Sequence, residues 1–299
     1  MRIINHAGRA GLVIAGRVLD VEHASGGAFG PDPQELYQRW DEFTAWAGAV
    51  GADGADGADG ADGAEPLDAS AVGPPVPRPG QVFAIGLNYR AHAHEAGLDL
   101  PGSPMVFTKF PASITGPAGT ITLPPGSVDF EAELVAVIGR RAYQVPEAAA
   151  WGHVAGLTAG QDLSERELQL RPPAPQQYNL GKSYPGFAPI GPVLVTPDEF
   201  DDPGDLELSC TLSGEQMQKA RTRDLIFSVP QLIAFLSSVL PLLPGDLIFT
   251  GTPSGIGWAR EPRRLLADGD ELVTRVEGIG EMRHHFTAGT APRPHPFIG

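Results

Sequence analysis

A mixed α/β chain made mostly of short strands, with a small N-terminal domain, is what these 299 residues predict. Three observations carry the prediction. Apolar runs are short and recur along the chain, the texture of strands. Gly (38) and Pro (30) punctuate them, while the aromatic share is only 7%. Helix signals are few; the clearest is Ser228 with Pro230, opening a helix that runs to about Leu240. A hydrophobic share of 42% is sufficient for a real core, and the length allows one large domain with a small one attached.

Taken in order, residues 1–78 read as the small N-terminal module. Gly11 to Val21 alternates weakly, with a hairpin turn at Gly16 and Arg17, and Asp32-Pro-Gln-Glu opens a helix towards Trp46. Four tandem Gly-Ala-Asp triplets and a final Gly-Ala fill 51–64. They hold no large apolar residue, so nothing offsets the entropy of ordering them, and a mobile acidic insertion is expected. A calcium-binding repeat would need a longer period and aliphatic positions that pack. Pro74-Pro75-Val-Pro77-Arg-Pro79 forms a stiff connector.

Residues 79–289 read as the catalytic domain and 290–299 as a tail. Strands are expected at Val82–Gly86, Met105–Phe110, Leu134–Ile138, Val193–Val195, Leu206–Leu212, Leu247–Thr250 and Glu271–Val276. Pro244-Gly-Asp and Asp268-Gly-Asp mark turns.

The net charge of −15 disfavours nucleic acid and anionic membranes as partners. A small anionic substrate would therefore need positive charge at the site, from a metal ion with a few Lys or Arg side chains. The single cysteine, Cys210, excludes an intrachain disulfide and fits a reducing compartment. The apolar run Gly11–Ala15 is too short for a signal core. Val229 to Leu243 is interrupted by Gln231, Ser237, Ser238 and two prolines, so it is no bilayer span. A cytoplasmic protein is expected.

The strongest local feature is Asp129-Phe-Glu131-Ala-Glu133-Leu-Val-Ala-Val-Ile138. Strand alternation puts Glu131 and Glu133 on one face with Val135 and Val137, and Phe130, Ala132, Leu134, Ala136 and Ile138 on the other. Two carboxylates at the rim of a buried strand repel each other and lose hydration. One must take up a proton, or a cation must sit between them. Solvated glutamates at an exposed strand end fit the spacing equally well. A third acid, Asp162, follows the apolar run Val154–Gly160. Oxygen-only ligands favour Mg²⁺ or Mn²⁺, with Ca²⁺ as a further option, over zinc.

After the first strand of the large domain comes Gly86-Leu-Asn88-Tyr89-Arg90-Ala-His92-Ala-His94-Glu95. If helical, His92 and Glu95 share a face, and a carboxylate beside an imidazole suits a general base. Alone, such a pair is more commonly a surface ion pair. Thr250-Gly-Thr252-Pro-Ser-Gly-Ile-Gly257 is rich in small residues that let backbone amides approach an anion. Its glycine order is not a dinucleotide fingerprint.

From about Val82 to Phe286 the chain resembles the fumarylacetoacetate hydrolase family. The landmarks are Gly86-Leu-Asn-Tyr-x-x-His92-x-x-Glu95, Phe107-x-Lys109, Asp129-Phe-Glu131-x-Glu133, Asp162-x-x-x-Arg166-x-x-Gln169, Gly181-Lys182-Ser183, Ala188-Pro-Ile-Gly-Pro192 and Pro244-Gly-Asp-x-Ile-x-Thr-Gly-Thr-Pro253. The resemblance implies a β-roll core and a homodimer. It implies that Glu131, Glu133 and Asp162 bind Mg²⁺ or Mn²⁺ and that Lys182 assists at the metal. It further implies that Arg166, Gln169, Thr252 and Tyr89 contact the substrate, and that His92 with Glu95 activates water on a helix closing over it. Phe110-Pro111-Ala112 and Glu165 depart from the usual pattern.

The expected activity is metal-dependent hydrolysis of a C–C bond in a small 2,4-dioxo acid, an acylpyruvate or a fumarylacetoacetate-like compound, by way of an enolate. Decarboxylation of oxaloacetate, or isomerisation or hydration of a 2-oxo-diene-dioate, would use the same site. A non-enzymatic binding protein is disfavoured, since neither metal ligands nor dyad are missing.

Overall fold

The computed structural model describes residues 1–55, 63–95, 97–170 and 176–290. Its centre is the strand Ala132–Ile138, buried at every position. Period-two alternation sends its side chains into two separate cores: Ala132, Leu134, Ala136 and Ile138 into one, Val135 and Val137 into the other. A strand covered on both faces reads as a continuous apolar run, which is why only its rim carries acids.

The neighbours follow from register. Ala132–Ile138 pairs antiparallel with Val154–Gln161 and with Leu247–Phe249. Leu247–Phe249 lies parallel to Val82–Gly86, which pairs antiparallel with Met105–Thr108. On the far side Val154–Gln161 pairs with Ala188–Val195, a strand longer than the expected Val193–Val195. Ala188–Val195 then pairs with Arg2–His6. The N-terminal strands Arg2–His6, Arg9–Ile14 and Arg17–Asp20 thus extend the same sheet as the large domain's strands.

A second, five-stranded sheet runs in the order Glu215–Arg221, Glu207–Leu212, Glu271–Val276, Gly280–Ala288, Ala118–Leu123. Its Leu208, Leu212, Leu272, Met282 and Phe286 fill the core on the Leu134 side, together with Leu232, Ile233 and Leu236 of the helix Val229–Val239. That helix starts with a reciprocal capping box between Ser228 and Gln231. Leu36, Tyr37, Trp40 and Phe43 cover the opposite face.

Two expectations are refined. Asp32 caps a 3-10 helix, Pro33–Arg39, before the α-helix Trp40–Ala55 begins. That helix runs into the Gly-Ala-Asp insertion, because alanine's helix propensity helps carry it past the glycines. Residues 56–62 of the insertion and 291–299 of the expected tail lie outside the described residues. Ala64, at the end of the insertion, is 5% exposed within the N-terminal core.

Strand direction gathers the functional segments. The start of Ala132–Ile138 and the ends of Val154–Gln161, Leu247–Phe249 and Val82–Gly86 lie at one end of the sheet. Glu131, Asp162, the segment after Phe249 and the segment after Gly86 therefore converge.

Candidate metal centre and its cover

Glu131, Glu133 and Asp162 each bring a carboxylate oxygen within 4.8 Å of the others. All three are buried, Asp162 and Glu133 almost completely. Each is held by the strand ends that carry it. Asp162 donates its backbone N–H to the Glu131 carbonyl at 2.9 Å. Gln161 accepts the Glu131 N–H at 2.9 Å and donates to Thr274 at 2.8 Å, tying the strand rim to the second sheet.

Three cations meet these acids. Lys182, just after the short helix Tyr178–Gly181, places Nζ 2.8 Å from Glu131 Oε2, 2.6 Å from Asp162 Oδ2 and 2.8 Å from Ser164 Oγ. Lys109 Nζ is 2.5 Å from Asp162 Oδ1 and also donates to the Lys182 carbonyl. Arg166 donates from Nη2 to Glu131 Oε1 at 2.6 Å and to Asp129 Oδ2 at 2.7 Å. Charged partners of this kind make short, strong hydrogen bonds.

The two glutamates differ in what they face. Burial alone would raise the Glu131 carboxyl, but Lys182 and Arg166 outweigh it and hold Glu131 well below the usual carboxylate range. Burial raises Glu133 well above that range, and the charges of Asp162 and Glu131 push it further. Among the described residues no ammonium or guanidinium hydrogen-bonds Glu133; its Oε2 accepts the Gly251 N–H at 2.7 Å. Burial lowers Lys109, whereas Asp162 and Glu131 overcome the burial of Lys182 and raise it.

The centre thus carries four buried carboxylates, Asp129 included, against Lys109, Arg166 and Lys182, and the uncompensated one is Glu133. A hard divalent cation fits this donor set. Glu131, Glu133 and Asp162 would hold it through oxygen, and it would supply the charge that Glu133 lacks.

Above this floor lies the helix Arg90–Glu95. His92 Nδ1 is 3.1 Å from Glu95 Oε2, with His92 inward and half-buried and His94 exposed. His92 is near enough to Glu131 that a proton on its ring would lower that carboxyl further. Tyr89, just before the helix, is buried, and its hydroxyl has no hydrogen-bond partner among the described residues. Burial and the Glu133 charge raise that phenol.

The residues expected to touch substrate are placed as follows. Arg166 and Gln169 sit on the short helix Arg166–Gln169, and Arg166 Nη1 donates to Gln169 Oε1 at 2.8 Å. The Thr252 hydroxyl donates to the Ala132 carbonyl at 2.9 Å and accepts from Gln218 at 2.8 Å. Both Arg166 and Thr252 therefore have protein partners of their own; among the described residues the Tyr89 hydroxyl has none. Glu165 caps the Arg166–Gln169 helix, accepting from Glu167 and Leu168.

Sequence reasoning assigned no role to Asp129 or Lys109. Asp129 accepts from Gly257 at 2.8 Å, Trp258 at 3.1 Å and Arg166, and so joins three segments. The available signals were an acid in step with Glu131 and Glu133, and a lysine inside the apolar run Met105–Phe110. The amides expected to meet an anion in Thr250–Gly257 do so, but the anions are the protein's own carboxylates.

Known proteins are similar to this chain in sequence and in fold. A Mycobacterium smegmatis protein given the provisional designation HpcE is 52% identical, with a TM-score of 0.87 over 97% of this chain and all of that one. Maleylpyruvate hydrolase from Sphingobium sp. SYK-6, solved with manganese(II) and pyruvate, is 27% identical with a TM-score of 0.77, covering 97% of this chain and 100% of that one. Mitochondrial oxaloacetate tautomerase Fahd2a of Rattus norvegicus is 41% identical over 208 residues, 69% of this chain and 66% of that protein. The fumarylacetoacetate hydrolase C-terminal pattern matches residues 81–287, and with that span the chain belongs to the fumarylacetoacetate hydrolase family.

Proposed function

We propose that the protein is a divalent-metal-dependent hydrolase that cleaves a C–C bond in a small 2,4-dioxo acid. The observation that carries this reading is the His92–Glu95 pair, 3.1 Å apart, on a helix beside the three buried carboxylates. Mg²⁺ or Mn²⁺ bound by Glu131, Glu133 and Asp162 would act as a Lewis acid on the substrate's oxygens. Glu95 orients the imidazole, and His92 takes a proton from water as the hydroxide adds to the distal carbonyl; the C–C bond beside that carbonyl then breaks, its electron pair leaves as the enolate of the 2-oxo acid, and the proton returns to that carbon. Lys182 donates hydrogen bonds where negative charge develops, and Arg166 stiffens Glu131 from behind. Tyr89 offers a buried hydroxyl without a partner among the described residues.

A second reading, proton transfer on oxaloacetate, is favoured by the similarity to oxaloacetate tautomerase. Decarboxylation of oxaloacetate and isomerisation of a 2-oxo-diene-dioate need the same acids and no attacking water. The test is a panel of acylpyruvates, fumarylacetoacetate and oxaloacetate with Mn²⁺ or Mg²⁺. Hydrolysis of an acylpyruvate supports the proposal; turnover of oxaloacetate alone rejects it in favour of the second reading. A homodimer in the cytoplasm belongs to the same proposal. A monomer mass by light scattering at micromolar concentration would count against the dimer.

A further inference from the structure

Four backbone amides of one segment, 250–258, bind three carboxylates from two other parts of the chain. Gly251 donates to Glu133 at 2.7 Å, Gly255 to Glu95 Oε1 at 2.9 Å, and Gly257 and Trp258 to Asp129 at 2.8 and 3.1 Å. Asp129 in turn holds Arg166, which holds Glu131. The segment therefore touches the metal floor twice, directly at Glu133 and through Asp129 and Arg166 at Glu131. It touches the cover helix once, at Glu95.

The segment has little freedom to adjust locally. Gly255 sits at φ +102°, where a Cβ would lie 2.1 Å from the Met217 carbonyl oxygen. At Gly257 a Cβ would lie 2.0 Å from the Arg264 carbonyl oxygen. Backbone this closely packed transmits a displacement at one end to the other. Asn88, before the helix, also donates to the Thr250 carbonyl at 2.7 Å.

Glu95 uses its two oxygens differently: Oε2 faces His92 and Oε1 faces Gly255. We propose that Glu95, besides orienting His92, is a positioning residue that latches the cover helix to segment 250–258, so that seating of the helix and presentation of Glu133 to a divalent cation are coupled. The proposal rests on reading the three acids as a cation centre. Coupling of this kind is reciprocal: cation binding would hold the helix down as much as the helix strengthens the cation site.

The test is Mn²⁺ binding to the full chain, by titration calorimetry and by the rise in Tm, without reference to turnover. Glu95→Ala removes the latch and should weaken Mn²⁺ by about tenfold, within the usual range of such coupling. Glu95→Gln keeps an oxygen that accepts the Gly255 N–H and should stay within about twofold of the wild type, as should His92→Ala. Equal weakening in Glu95→Gln and Glu95→Ala would make the effect one of charge and overturn the latch. Unchanged Mn²⁺ affinity in Glu95→Ala would overturn it too. A wild type that binds no Mn²⁺ would remove the cation reading itself, and the latch with it.

Discussion

The acid floor and the helix above it solve opposite problems. On the floor, Glu131 and Asp162 are buried and keep company with Lys109, Lys182 and Arg166, in bonds of 2.5–2.8 Å. The cover is a six-residue helix with one buried residue, Ala93, and its Glu95 is tied down by a single amide of the neighbouring segment. Desolvated charges persist only where partners surround them, so the floor is over-determined. A group that meets water or substrate in turn needs few attachments, and short helices with few buried contacts open at low cost. Under the proposed function, that contrast gives binding to the floor and proton transfer to the cover.

Mutations can break that division. The largest effect is expected at the floor: Glu131→Ala should bring turnover to background and abolish the Mn²⁺-induced rise in Tm. Full activity with continued inhibition by chelator would remove Glu131 from the cation site. At the cover, His92→Ala should lower kcat by roughly 10²–10⁴-fold, the usual loss for a missing general base. KM should move far less, and a KM rise with kcat intact would turn the cover into a binding element. Glu95→Gln should fall between wild type and His92→Ala in kcat.

Lys182→Met removes a buried ammonium from between Glu131 and Asp162. In metal-free protein it should cost about 3–5 kcal/mol by denaturant melts, the range for one half of a buried ion pair. Added Mn²⁺ should recover more stability in this variant than it adds to the wild type. An unchanged metal-free stability would mean that the floor is not held by its cations.

His284, on the strand Gly280–Ala288 of the second sheet, shows the other way to bury a titratable group. Its Nε2 reaches the Gly116 carbonyl at 3.0 Å, its Nδ1 has no partner among the described residues, and burial lowers its pKa to about 4. The folded value lies below the ordinary 6.5, so the unfolded chain binds the extra proton between these two values. Stability is therefore complete above pH 6.5 and declines as pH falls towards 4, by at most about 1.4 kcal/mol per pH unit. His284→Gln should flatten that part of the profile, and a slope identical to the wild type's would show that the ring titrates normally. The smallest effect is expected from deleting 57–62, two Gly-Ala-Asp units of the insertion. Loop entropy changes only logarithmically with length, so Tm should hardly move. A drop of many degrees would mean that the insertion packs on the body.

Much of this architecture is legible in the sequence. The alternation in Asp129–Ile138 separates two cores, and both form as the period demands, because a strand buried on both faces has no other way to place its side chains. The same parity lined up Glu131 with Glu133, and Ser228-x-Pro230 announced the capped helix. Spacing also put His92 and Glu95 on one helical face. The extent of Ala188–Val195 was less legible, because Gly191 and Pro192 interrupt its apolar run.

What composition and spacing determine, then, are faces: which side chains of one element point the same way. Those are consequences of local geometry, with periods of 2 and 3.6 residues. Which faces meet was decided by tertiary structure alone. Asp162 joins Glu131 through the pairing of two strands, Lys182 arrives 51 residues after Glu131, and Gly255 reaches Glu95 across 160 residues. The same holds for charge. Glu131 and Glu133 are equivalent in the sequence, and only the cations brought beside one of them drive their protonation in opposite directions, because Coulomb energy depends on distance in space.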